Sequence, residues 1–123
     1  MLLKDFYSIQ KLEKTEEGKY AVSIFLNRDN DIFKGHFPGN PTTPGVCMMQ
    51  IIKELSQEIL KSSLIMTSSS NVKFMALINP EINPDLQLEL EISGDLETEI
   101  KVKATTIFET TVALKLTNVY KKA

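Results

Sequence analysis

The sequence predicts an α+β fold: a curved antiparallel β-sheet wrapped around one long central helix. Three observations carry this. The segment from Pro44 or Gly45 to about Lys61 is apolar almost all round in its first half and apolar at helical spacing in its second, the pattern of a helix buried on most sides. Most of the other apolar stretches alternate with a period of two, as half-buried strands do. A loop too rich in proline and glycine for helix or central strand, Gly35 to Val46, separates a strand from that helix.

Taken in order, residues 1–12 mix apolar and charged positions and suit a short edge strand or a lead-in turn. Lys14 to Lys19 is charged, contains Gly18 and reads as a hairpin connection. Tyr20, Val22, Ile24 and Leu26 then point one way, with Ala21, Ser23 and Phe25 opposite, which predicts a strand. The polar run Asn27–Asp31 leads into the loop. Pro44 suits the first turn of the helix, where its missing N–H would have no partner anyway. Ile52, Leu55 and Ile59 continue the apolar face, Lys53, Glu58 and Lys61 are left for solvent, and Ser62-Ser63 closes the helix.

Beyond the helix, Leu64–Met66 starts a strand that Thr67–Ser70 interrupts and Val72, Phe74 and Ala76 continue. Asn79-Pro80 and Asn83-Pro84 mark a connection. Leu86, Leu88, Leu90 and Ile92 alternate with polar residues, the cleanest half-buried strand in the chain. A tight turn at Gly94-Asp95 precedes Ile100, Val102 and Ala104, and a break near Glu109-Thr110 precedes Val112, Leu114 and Leu116. The expectation is a meander of long antiparallel strands in a single domain spanning 1–123, covering the helix. Its free edges predict pairing with a second copy.

Composition narrows the function. A 123-residue chain with 42% hydrophobic and 24% charged residues is that of an ordinary soluble domain. A net charge of -2 argues against general nucleic-acid binding. Lys4 and Asp5 interrupt the apolar start, so neither a signal peptide nor a membrane span is expected, and the location predicted is cytoplasmic. The lone cysteine, Cys47, excludes an internal disulfide and a cysteine-based metal cage, and a buried apolar role suits it better than a nucleophilic one. No metal site or cofactor is expected: the acidic face of Glu89, Glu91, Glu97 and Glu99 has no histidine with it and reads as solvated strand surface. Met48, Met49, Met66 and Met75 read as core packing, with some available to line an acyl tunnel.

The chemistry concentrates in the loop. Gly35-His36-Phe37-Pro38-Gly39-Asn40-Pro41 and Pro44-Gly45-Val46 contain the only histidine, three of the five glycines and three of the five prolines. They predict a stiff segment that would aim one imidazole at the start of a helix.

These residues resemble the signature loop of the hot-dog-fold 3-hydroxyacyl-[acyl-carrier-protein] dehydratases of fatty-acid and polyene synthesis, roughly G-H-F-P-x-x-P-x-x-P-G-V followed by apolar residues and an acid. The close match covers about twenty residues, and the order of strands and helix fits over most of the chain. The resemblance implies a hot-dog fold and a lyase acting on carrier-bound thioesters. It makes His36 the base that takes the α-proton, and has the backbone N–H groups of Gly45 and Val46 polarise the thioester carbonyl. It has the carbonyl of Thr42 hold the second imidazole nitrogen, and places Phe37 at the substrate. It also implies a homodimer with shared sites, able to assemble further, in which the helix acid comes from the neighbouring subunit.

Two positions depart from the pattern. The acid expected fourteen residues after the histidine is Gln50, and the family's glutamine one turn later is Glu54. Glutamine holds a water or a hydroxyl but cannot protonate a leaving hydroxide. Residues four apart share a helix face at roughly 6 Å between Cβ atoms, so Glu54 is the candidate acid, directly or through a water held by Gln50. The same departure keeps a non-catalytic partner subunit or acyl-carrier binder as the alternative, with an acyl thioesterase behind it. An acidic carrier protein calls for basic residues near the loop and helix, for which Arg28, Lys34, Lys53 and Lys61 are candidates, whereas Lys121-Lys122 suits a solvated tail equally well.

Overall fold

Alternating apolar residues give the sheet one dry face. Val22, Ile24, Leu26, Leu86, Leu88, Leu90, Ile100, Val102, Leu114 and Leu116 are all buried, and they cover the helix residues Cys47, Met48, Ile51, Ile52 and Leu55. In the computed structural model, which describes residues 5–34 and 42–123, the order is β1 (Tyr7–Glu16), β2 (Lys19–Leu26), α1 (Asp31–Lys34), α2 (Gly45–Leu60), β3 (Leu64–Phe74), β4 (Asp85–Gly94), β5 (Ile100–Phe108) and β6 (Thr111–Lys122). The strands form one antiparallel sheet in the order β1-β2-β4-β5-β6-β3. This is the predicted sheet wrapped on one long helix.

Several details differ from the sequence reading. The first strand is not a short lead-in: β1 runs ten residues as an edge strand, and the hairpin turn contracts to Glu17-Gly18. Gly18 sits at φ +76, where a Cβ would meet the Ile92 carbonyl oxygen at 2.8 Å, so the turn needs glycine. The polar run ends in the single helical turn α1, which begins at Asp31, rather than leading directly into loop.

The serine run does not interrupt β3. Ser68, Ser69 and Ser70 pair with Val119, Asn118 and Thr117, and register shifts on either side absorb the irregularity, with Asn71 at φ +53. Ala76 lies beyond the strand. Nor do the last four strands form one meander. β3 pairs with β6 at the far edge, while β4 slots in beside β2, Leu88 opposite Val22. Lys121 and Lys122 face Ile65 and Leu64 across that ladder, so they belong to the sheet rather than to a tail.

Met48 is buried and Met49 packs partly against the core, but Met66 and Met75 are exposed on the β3 side and do not fill it. Cys47 is buried as expected, and burial pushes its thiol up.

Candidate active site

Helix α2 begins without a side-chain cap: Pro44 holds the cap position in extended conformation, and the first turn has no acidic residue. The N–H groups of Cys47 and Met48 return to the Pro44 carbonyl at 3.0 and 3.2 Å. Those of Gly45 and Val46 precede the first intrahelical bond and carry the positive end of the helix dipole. The approach to the helix is tied down by the Thr43 N–H, which donates to the Ile78 carbonyl at 2.8 Å.

A cavity of about 370 Å³ opens at this end, lined by Thr42, Thr43, Gly45, Met48, Leu114 and the stretch Phe74–Ile78. Its walls are mostly apolar side chains beside the uncapped start of α2 at Gly45, which suits a molecule with a polar carbonyl and an apolar tail. Phe74 lies across the helix start; a Cβ on Gly45 would fall 2.7 Å from its ring, so Gly45 is what lets the ring pack there. Val46 is 65% exposed, with its side chain turned away from the core. A larger cavity of about 520 Å³ lies on the outer face among Lys19, Glu89, Lys103 and Lys115, and the sheet separates it from the helix.

Gln50 and Glu54 are brought together as their spacing predicts. The Gln50 side-chain amide donates to Glu54 Oε2 at 3.0 Å. The other carboxylate oxygen, Oε1, accepts from the Tyr7 hydroxyl at 2.9 Å. All three residues are half-buried. Burial and the adjacent Glu54 carboxylate push the Tyr7 phenol well above its ordinary range. Sequence reasoning missed Tyr7, because nothing in residues 1–12 signals a contact with a helix residue 47 positions away.

His36 and Phe37 lie outside the described residues. Thr42 is half-buried at the mouth of the cavity. Of the candidate basic residues, Arg28 is exposed, Lys53 half-buried, and Lys61 paired with Glu58 at 2.9 Å. No helix of the described residues is long and apolar enough to cross a membrane.

Comparison with known proteins agrees with this layout. The 3-hydroxyacyl-[acyl-carrier-protein] dehydratase FabZ of Clostridium acetobutylicum is 32% identical over 92 residues, covering 68% of this chain and 64% of that protein. The same enzyme from Halalkalibacterium halodurans is 34% identical over 95 residues, covering 71% and 66%. The chain thus spans less than two thirds of the length of these relatives. Among solved structures, the dehydratase heterocomplex ApeI:P of Xenorhabdus doucetiae superposes with a TM-score of 0.70 at 21% identity, over 94% of this chain and 97% of that one, which supports the hot-dog fold. The model of the ApeI-like family, described as ApeI dehydratase, matches residues 12–113, and this chain belongs to that family.

Proposed function

We propose that the protein is a dehydratase of 3-hydroxyacyl thioesters carried on acyl carrier protein, in fatty-acid or polyene-type synthesis. The observation that carries this is the uncapped start of α2 opening into an apolar cavity directly after the His36 motif. In this reading the Gly45 and Val46 N–H groups polarise the thioester carbonyl, which acidifies the α-carbon, and His36 takes the α-proton. The C–O bond at the β-carbon then breaks. Glu54, directly or through a water on Gln50, protonates the departing hydroxide, and the products are water and a 2-enoyl thioester. The imidazolium and the carboxylate exchange the balancing proton through solvent before the next turnover.

Incubation with a 3-hydroxyacyl thioester tests the reading. The expected result is a conjugated enoyl thioester with no free thiol. Release of free thiol would point to thioester hydrolysis instead. No turnover would favour the second reading, a non-catalytic subunit or carrier binder, for which Gln50 at the usual acid position is the specific support.

A second copy of the chain is part of this reading, and the difference between the two sheet edges favours one of them. β1 exposes a mixed row of charges, Lys11, Glu13, Lys14 and Glu16, beside only two exposed large apolar residues, Ile9 and Leu12. On the β3 side, Ile65, Met66, Val72, Phe74, Met75 and Leu77 are all exposed. Six large apolar side chains gathered along one edge support edge-to-edge pairing through β3. Light scattering should therefore give a particle of at least twice the 13.9 kDa protomer mass. Replacing Ile65 and Phe74 together by lysine should return it to the protomer mass.

A further inference from the structure

The carboxylate of Glu54 is held at both oxygens by its own chain, and one of the two holders comes from outside the helix. Tyr7 is the first residue of β1 and stands opposite Leu26. Its position is set by a clasp around it. Phe6 is fully buried and stacks on Phe33 of α1, ring centroids 4.6 Å apart. The Phe6 carbonyl accepts from the Asn27 N–H at 2.9 Å, and the Asp5 carbonyl accepts from the side-chain amides of Asn27 at 2.8 Å and Asn30 at 3.0 Å. The same clasp fixes α1, whose last residue, Lys34, is two positions before His36 in sequence. One anchor thus places both Tyr7 and the take-off of the histidine segment.

A carboxylate on a half-exposed helix face has several rotamers open to it, and an acid in the wrong rotamer does not reach the leaving group. With a donor on each oxygen, Glu54 is confined to one orientation, while the second position on one oxygen remains for the proton it delivers and that on the other for substrate or water. We propose that Tyr7 is a positioning residue for Glu54: its hydroxyl, set by the β1–α1 clasp, fixes the carboxylate in the orientation from which it exchanges a proton with the leaving hydroxyl. The inference rests on the reading of Glu54 as the acid. Tyr7 is not itself the proton source. Its phenol is held protonated by burial and by the carboxylate next to it, which suits a permanent donor.

The test is a double-mutant cycle on dehydration of a 3-hydroxyacyl thioester, with thermal melts confirming that each variant folds. Tyr7→Phe removes only the hydroxyl and should lower kcat about tenfold, part of the contribution of a positioned acid, with KM changed by less than about twofold. In the Glu54→Gln background the same change should cost nothing further, because there is no carboxylate left to orient. Titration of tyrosinate absorbance should show one phenol moving down towards its ordinary range in Glu54→Gln. A Tyr7→Phe variant as fast as the parent overturns the proposal. So does a Tyr7→Phe effect of equal size in both backgrounds, which would mean that the hydroxyl acts through the fold while Glu54 keeps its role. An undiminished rate in Glu54→Gln alone overturns the acid assignment, and the role of Tyr7 with it.

Discussion

Glu54→Gln is expected to slow dehydration by about 10²- to 10⁴-fold, the usual contribution of a positioned general acid. At 1.36 kcal/mol per decade this is about 3–5 kcal/mol of transition-state stabilisation. The substitution is nearly isosteric and half-buried, and an amide can still pair with Tyr7 and Gln50, so the melting temperature should scarcely move. The loss then reports chemistry rather than unfolding. Gln50→Glu tests the same idea from the other side. It restores an acid at the position where the FabZ-like pattern expects one, and should preserve or raise activity. His36→Ala is the reference for loss of the base and should lose at least as much. A Glu54→Gln enzyme with full activity would sink the relocation of the acid and leave Gln50 and its water to be accounted for.

Leu55→Ala has the largest effect expected on stability. Leu55 is fully buried on the face of α2 that the sheet covers, between Ile51 and Ile52 on one side and Ser56 on the other. Removing its branched end costs the transfer free energy of the lost atoms and leaves a cavity that a close-packed core only partly fills, about 2–5 kcal/mol together. For a domain of this size, with a total stability of about 5–15 kcal/mol, that is a large share, and the midpoint should fall on the order of 10–20 °C. Thermal denaturation at one fixed protein concentration measures it, since pairing of copies would make the midpoint concentration-dependent. Lys53→Ala on the half-exposed side of the same helix is the control and should stay within about 0.5 kcal/mol.

Period-two alternation tells which face of a strand is dry, because side chains alternate across a strand whatever its neighbours are. It therefore placed Val22, Leu88 and Val102 in the core correctly. It contains no term for which strand lies alongside, and so it put β3 next to β4. In the folded chain β3 is carried by α2 to the far edge, against β6. The same blindness explains Thr67–Ser70. Serine is a poor strand former in isolation, but pairing with a long β6 supplies the hydrogen bonds, and two register shifts accommodate the misfit.

The site divides along the same line. The helix start, the motif around His36 and the shared face of Gln50 and Glu54 were legible in the sequence, because each depends on residue types at short, fixed spacing. A helix puts positions four apart on one face wherever it packs. It took the folded structure to show that Glu54 is held at both carboxylate oxygens, that Tyr7 is the second holder, and that more exposed large apolar side chains lie on the β3 side than along β1. Those features join residues far apart in the chain, and such contacts are fixed by how the whole sheet closes on the helix.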